Sequence, residues 1–258
     1  MQIRFSKYQG TGNDFVIIDQ MSEAVTFNRD MIAFLCDRKF GIGADGVMLL
    51  RPDKESDFRM VYYNSDGNES SMCGNGGRCL VHFAYHNGYI KHNTKFMAID
   101  GLHDAVVLEN NIISLRMADV SAIENFQNAF ILNTGSPHYV TFTIDPEKAD
   151  IVKEGRTVRY SDRFKQEGIN VNLAKVTADD IYVRTYERGV EDETLSCGTG
   201  VTATAIAAHH AGLLSVNDIG IKTKGGDLRI TFNIKNDIYT EVNLIGPAIC
   251  VFNGEIKL

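Results

Sequence analysis

The chain reads as one unit written twice. Ser71-Met72-Cys73-Gly74-Asn75-Gly76-Gly77-Arg78-Cys79 returns as Leu195-Ser196-Cys197-Gly198-Thr199-Gly200, with the two cysteines 124 residues apart. At that offset Gly74 matches Gly198, Gly76 matches Gly200 and Gly88 matches Gly212. Tyr62 and Glu69 match Tyr186 and Glu193, and Thr11-Gly12-Asn13 aligns with Thr134-Gly135-Ser136 at an offset of 123. A repeat this long commits the chain to two like domains, because each copy carries its own turn, strand and helix signals. A length of 258 residues suits that division. The boundaries predicted are 1–117 and 118–247, with a last strand near 248–258 packing back on the first domain.

Within a copy, local signals place the cysteine. The polar run Asn64-Ser65-Asp66-Gly67-Asn68-Glu69-Ser70 reads as a loop, and the apolar stretch Leu80 to Tyr85 as a helix closed by a glycine at Gly88. Cys73 then stands at a helix start. The same reading puts Cys197 at the start of a helix over 199–211, whose residues are small and apolar nearly all round. Alternating segments at 2–8, 15–18, 47–50, 58–63, 96–99, 103–108 and 112–117 read as strands, with a hairpin turn at Asn110-Asn111. Asn28 caps a helix through about Asp37. The second copy repeats the plan, with helical stretches at 147–153 and 156–163, a strand at Ile181–Tyr186 and a turn at Lys235-Asn236-Asp237. The fold expected is α/β of the α+β kind: two pseudo-symmetric domains, each a mostly antiparallel strand barrel around one central helix.

Gly41-Ile42-Gly43-Ala44-Asp45-Gly46 matches the dinucleotide fingerprint literally, but a helix precedes it and a strand follows. The fingerprint needs strand, turn, then helix, so the stretch is read as a plain glycine-rich loop.

Composition excludes several classes. A net charge of −7 argues against nucleic acid and anionic membranes as partners. The N-terminus lacks an apolar signal region, and no stretch is long enough to span a bilayer as a helix, so the expected place is the cytoplasm. Five cysteines, an odd number without a Cys-x-x-Cys pair, speak against a disulfide scaffold and a zinc site; no metal is expected. Cys36, Cys79 and Cys250 are read as buried packing residues. The acidic run Glu191-Asp192-Glu193 is read as solvated.

A helix N-terminus presents free N–H groups and partial positive charge, which favour a thiolate and seat an anion. Two such cysteines facing each other from the two domains would supply a base on one face of a carbon and an acid on the other. Inversion of a centre beside a carboxylate, without a cofactor, fits these parts, and no lysine stands in a recognisable Schiff-base context.

The motifs also carry a resemblance. Thr11-Gly12-Asn13-Asp14-Phe15, Asn64-Ser65-Asp66-Gly67, Cys73-Gly74-Asn75-Gly76-Gly77-Arg78-Cys79, Glu187-Arg188-Gly189 and Glu193-Thr194-Leu195-Ser196-Cys197-Gly198-Thr199-Gly200 resemble the signature blocks of the diaminopimelate epimerase family, in order and over nearly the whole chain. The resemblance implies that Cys73 and Cys197 are the acid/base pair, tuned by His138 and Glu187. Gly74, Asn75, Gly198 and Thr199 would hold the α-carboxylate of the reacting centre. Asn13, Asn64, Asn170 and Arg188 would grip the distal amino-acid end, with Glu187 near the reacting ammonium. It further implies conversion of LL-diaminopimelate to the meso form for lysine and peptidoglycan synthesis, no cofactor, and a homodimer. Two positions depart: Gly46 stands where many members carry glutamine, and Ser136 where many carry asparagine.

Three other readings share some features. A two-cysteine racemase of proline-type substrates would not need the asparagine and arginine set. A nucleotide binder would use Gly198-Thr199-Gly200 with Asp218 as its ribose acid. A dithiol redox protein would use the cysteines as an exchanging pair.

Overall fold

The computed structural model describes residues 1–178 and 180–258. The chain divides into two compact units, Met1–Leu115 with Gly246–Leu258, and Arg116–Ile245.

In the first unit the strands are β1 (Gln2–Gly10), β2 (Asn13–Asp19), β3 (Gly46–Arg51), β4 (Phe58–Asn64), β5 (Glu69–Ser70), β6 (Asn93–Ala98), β7 (Gly101–Val107) and β8 (Ile112–Arg116). They are joined by the last strand of the chain, β18 (Ile249–Lys257). The row runs β18–β1–β2–β3–β4–β6–β7–β8, antiparallel except at β2/β3 and β4/β6. Helix α2 (Gly74–His86) touches β1, β2, β3, β7 and β18, strands from both ends of that row, so the sheet curls around it. Helix α1 (Arg29–Cys36) packs outside, on β3. Asn28 caps it as expected, its Oδ1 accepting the Met31 N–H at 2.8 Å.

The second unit repeats this order. Its row is β9 (Ile123–Phe126), β10 (Ala129–Asn133), β11 (Pro137–Phe142), β12 (Asn170–Val176), β13 (Asp180–Glu187), β15 (Asp218–Thr223), β16 (Gly226–Lys235) and β17 (Ile238–Pro247). The parallel pairs fall at the equivalent places, β11/β12 and β13/β15. A short β14 (Asp192–Thr194) hairpins onto β13 as β5 does onto β4. Helix α4 (Gly198–His210) touches β10, β11, β12, β13, β15 and β16. Its buried face is Gly, Ala, Thr, Val and one Ile, which lets strands approach closely on most sides. Thr202 and Thr204 turn their hydroxyls back to the carbonyls of Gly198 and Gly200, at 2.9 and 2.8 Å, so both of these buried hydroxyls are paired.

Both central helices end alike. Gly88 (φ 76°) and Gly212 (φ 69°) adopt the left-handed conformation, and the next residue's N–H returns to the carbonyls of Ala84 and Ala208 at 3.0 Å. The expected hairpin turns at Asn110-Asn111 and Asn236-Asp237 also have positive φ throughout.

Three local expectations fail. Helix α3 (Ile151–Arg159) is single, preceded by a short 3-10 turn at Pro146–Lys148, where two helices at 147–153 and 156–163 were expected. Asp150 supplies the cap that starts it, and Tyr160 ends it. Cys250 is exposed, because among the described residues β18 is paired with β1 alone and turns Ile249, Val251 and Phe252 outward. The acidic run is not freely solvated: Glu191 receives bonds from Arg159, Tyr160 and Tyr186, and Glu193 from Arg184 and Lys224.

Candidate active site

In the first unit, the hairpin of β4 and β5 delivers the chain to the helix start. Its turn closes with Asn64 N–H to Asn68 O and Gly67 N–H to Asn64 O, both 2.9 Å, and Gly67 has φ 83°. Cys73 is the residue just before α2, half-buried, in extended conformation, its carbonyl accepting the Gly77 N–H at 2.6 Å. That leaves the N–H groups of the first turn at its side. Close packing fixes the turn: a Cβ at Gly76 would stand 2.3 Å from the Met48 methyl.

Asn75 is fully buried and donates to Asn13 Oδ1 at 3.1 Å, while Asn13 donates to Asp45 at 2.5 Å. Gly74, Asn75 and Asn13 are therefore brought together. Asn64, at the end of β4, lies opposite Gly46 in the β3/β4 register.

Gly46 has no room for a side chain, since a Cβ there would stand 2.4 Å from the Tyr63 carbonyl and 2.5 Å from the Tyr62 ring. Gly46→Gln, which installs the residue that the family resemblance leads one to expect here, is expected to lower the melting temperature by several degrees rather than add a substrate contact. Thermal unfolding monitored by circular dichroism checks this.

The Asn13 turn is held by charge. Asp14 pairs with Lys7 and Arg38, each at 2.7 Å, and Arg38 also reaches Asp45 at 2.8 Å. Burial alone would raise the Asp14 pKa, but hydrogen bonds from Arg38 and Lys7 outweigh it and bring the carboxyl down to about 2. A depressed acid stabilises the fold above its unfolded pKa, and that stability is lost as pH falls through the folded value. Asp14→Asn is expected to flatten the loss of stability between about pH 4 and pH 2, which urea unfolding across that range measures.

The second helix start is built on a different set of groups. Arg184 on β13, 8% exposed, donates bidentately to Glu193 at 2.7 and 2.8 Å and so pins β14 in front of Cys197. Cys197 is 8% exposed, extended, and immediately precedes α4. Its Sγ lies 3.5 Å from the Thr199 hydroxyl, which lies 2.8 Å from His138 Nε2.

The other ring nitrogen, Nδ1, faces Asn172 Nδ2 at 3.1 Å. The same Nδ2 faces the Tyr139 carbonyl at 3.2 Å, and Asn172 Oδ1 accepts from Thr185 at 2.9 Å. A carbonyl can only accept, so the amide orientation is settled, and Nδ1 is the acceptor of the ring. His138 therefore carries its proton on Nε2 and gives it to Thr199, whose own proton can point to Cys197. Burial, with a smaller contribution from the charge of Arg188, pushes the His138 pKa down to about 3, so the ring is neutral at neutral pH.

Ser136, Asn170 and Arg188 form a third group. Ser136 Oγ accepts from Asn170 Nδ2 at 2.9 Å and Arg188 Nη2 at 3.4 Å, and Asn170 Oδ1 accepts the Arg188 backbone N–H at 2.9 Å. Arg188 also donates to the Glu167 carbonyl at 2.7 Å, and Gly189, at φ 93°, opens the turn that follows Glu187. Asp218, the acid of the nucleotide reading, is engaged by Arg229.

Sequence reasoning passed over Asn172, Thr185 and Arg78. All three are buried polar residues, Asn172 and Thr185 on strands and Arg78 on the first turns of α2, and the repeat comparison was the signal that could have marked them. No helix among the described residues is long and apolar enough to cross a membrane.

Comparison with known proteins sets these groups in context. The structure aligns over its whole length with a PhzF-family phenazine biosynthesis protein from Bacillus anthracis (TM-score 0.78, 13% identity, all of both chains). It also aligns over its whole length with a hydroxyproline epimerase from Agrobacterium vitis (TM-score 0.70, 16% identity, 93% of that chain). At these identities the likeness is one of fold, and the two-domain α/β architecture expected from the repeat is the one found. The family model described as Diaminopimelate epimerase matches residues 5–112 and 130–250. A diaminopimelate epimerase from Flavobacterium psychrophilum is 52% identical over 98% of this chain and 100% of its own. One from Aquifex aeolicus is 38% identical over 99% and 98%. The matched residues include both cysteine blocks and most of the chain between and around them, and the chain belongs to the diaminopimelate epimerase family of isomerases.

Proposed function

We propose that the protein interconverts LL-2,6-diaminopimelate and the meso isomer by two-base catalysis, with Cys73 and Cys197 acting on opposite faces of one α-carbon. The observation that carries this reading is that both cysteines occupy the same position, directly before the first residue of equivalent 13-residue helices. One thiolate takes the α-proton, and the other thiol delivers a proton from the far side. The first-turn N–H groups of Gly74-Asn75 and Gly198-Thr199 hold the α-carboxylate and stabilise the charge that develops as the proton leaves.

His138 acts on Cys197 through Thr199 as a neutral hydrogen-bond donor. Glu187 receives the ammonium at the reacting centre. Asn13, Asn64, Asn170 and Arg188 hold the distal amino-acid end, with Ser136 supporting Asn170 and Arg188. No cofactor takes part. The reaction serves lysine and peptidoglycan precursor synthesis in the cytoplasm. The enzyme works as a homodimer, for which the exposed apolar residues of the edge strand β18 offer a pairing surface.

The test is incubation with LL-diaminopimelate in heavy water, followed by NMR. Loss of the α-proton signal with appearance of the meso isomer supports the reading. No change with folded, reduced protein, but turnover of L-proline or hydroxyproline, would replace it with the proline-type reading.

A further inference from the structure

The turn that carries Arg188 is fastened differently from its counterpart in the first copy. Asn64-Ser65-Asp66-Gly67 and Arg188-Gly189-Val190-Glu191 are equivalent at the 124-residue offset, so Glu191 stands where Gly67 stands. Both adopt the left-handed conformation, at φ 83° for Gly67 and 59° for Glu191. Glycine takes that conformation readily and glutamate does not, so its surroundings must hold it there.

Those surroundings differ between the copies. Helices α1 and α3 fill equivalent crossovers, from β2 to β3 and from β11 to β12. At Gly67 the start of α1 closes directly on the turn, and a Cβ would stand 2.4 Å from the Arg29 carbonyl oxygen. In the second copy the Glu191 side chain bridges turn and helix. Its Oε1 accepts from Arg159 Nε at 3.2 Å and from the Gly189 N–H at 3.1 Å. Its Oε2 accepts from the Tyr186 hydroxyl at 2.7 Å and the Tyr160 hydroxyl at 3.1 Å. The Glu191 N–H donates to the Glu187 carbonyl at 2.8 Å and closes the turn. One carboxylate therefore joins the end of α3, the end of β13 and the turn itself.

Packing fixes these donors. Tyr186 is fully buried in a core with Ile151, Ile169 and Val171, and a Cβ at Gly155 of α3 would stand 2.4 Å from its ring. Burial, and then the bond to Glu191, push the Tyr186 pKa up to about 12, so it remains a donor. Burial would raise the Glu191 pKa, but bonds from Tyr186, Gly189 and Tyr160 and the charge of Arg159 bring it below its ordinary value, so the acceptor is a carboxylate.

The frame reaches Arg188. Gly168, at φ 75°, leaves space that two arginines fill: a Cβ there would stand 2.5 Å from Arg188 Cδ and 2.8 Å from Arg159 Cζ. Arg159 also donates to the carbonyls of Phe164 and Lys165 at 3.4 and 3.3 Å, and Arg188 to that of Glu167 at 2.7 Å. Glu191 supplies negative charge beside Arg159, and without it two like charges would press on one glycine.

We propose that Glu191 is a positioning residue for substrate recognition: it fastens the Arg188 turn to α3 and so sets where the Arg188 guanidinium meets the distal end of the substrate. The inference rests on the role given to Arg188 above, and Glu191 takes no part in the proton transfers.

Two variants test it from opposite sides. Glu191→Gly permits the backbone conformation seen at Gly67 and removes the carboxylate. Arg159→Gln removes the anchor on α3 and leaves the turn unaltered. The first readout needs no substrate: the rate at which phenylglyoxal modifies each arginine, resolved by peptide mass spectrometry. Arg188 is expected to react about fivefold faster in both variants. Arg229, held by Asp218, is expected to react as in the unaltered protein. The second readout is steady-state kinetics. The KM for LL-diaminopimelate is expected to rise about tenfold with kcat within about threefold, the mark of lost binding rather than lost chemistry. Melting curves identify the folded variants. An unmoved Arg188 rate in a folded variant, an equal rise at Arg229, or a fall in kcat at unchanged KM overturns the proposal. An unaltered protein that leaves LL-diaminopimelate untouched would end the diaminopimelate reading, while the modification rates would still decide whether Glu191 places Arg188.

Discussion

Cys73→Ala and Cys197→Ala are each expected to lose epimerisation in both directions, by at least about a thousandfold in kcat. The size of the loss follows from the two-base arrangement. Inversion needs a proton removed from one face and one delivered to the other, and alanine leaves one face with no group that can do either. Stability should change little, because losing one sulfur from a half-buried or nearly buried position leaves a small cavity, worth about 1 kcal/mol. The variants therefore separate chemistry from folding. They also make a positive prediction. A single remaining thiol can still exchange the proton on its own face. In heavy water, each variant should carry deuterium into one isomer with retention, LL for one variant and meso for the other, and epimerise neither. NMR of recovered substrate reads both outcomes. Epimerisation within tenfold of the unaltered enzyme by either variant would end the two-base model.

The features that place these cysteines are local and repeated, which is why the sequence displays them. Glycines at 74, 76, 198 and 200 follow each cysteine, and a glycine at 88 or 212 closes each helix, so the start and end of α2 and α4 are written into short-range chemistry. The curled sheet follows from the same repeat, since a helix apolar on nearly all sides must be covered on nearly all sides.

What stayed hidden depends on contacts between residues far apart in the chain. Cys250 sits among Ile249, Val251 and Phe252, a pattern that reads as core, yet β18 is an edge strand and only its position in the sheet exposes them. Glu193 reads as a surface acid until Arg184, nine residues earlier on the neighbouring strand, is seen to face it. Arg78 reads as a helix residue of no particular interest, because nothing in its neighbourhood along the chain announces that it is fully buried, with its guanidinium donating to Asn75, Thr11, Gly74 and Pro247. Gly46 reads as a departure from the family in a contact residue. The backbone of Tyr63 and the ring of Tyr62 fill the space a larger residue would need, so the departure is compensated within this chain.

Thr199→Val is expected to lower kcat by about a hundredfold while Thr199→Ser stays within a few-fold. The hydroxyl joins His138 to Cys197: it accepts from Nε2 at 2.8 Å and faces Sγ at 3.5 Å. A hydrogen bond to a charged group is worth about 1.5–3 kcal/mol, and when Cys197 is the thiolate that bond is lost outright in the valine variant. A tenfold change costs about 1.4 kcal/mol, so the upper part of that range gives the hundredfold effect. Valine keeps the shape of threonine, which limits any packing loss. It does strand the buried Nε2–H of His138, at a cost of about 1–3 kcal/mol in stability. A fall in melting temperature should accompany the fall in rate, and the serine variant should reverse both. The pH profile distinguishes the electrostatic role from mere loosening. Removing a donor to the thiolate raises the pH at which Cys197 ionises, so the limb of the profile that reports it should move to higher pH in Thr199→Val and not in Thr199→Ser. A rate that falls with no movement of that limb would assign Thr199 to packing alone, and would leave the neutral, Nε2-protonated His138 without a path to the sulfur.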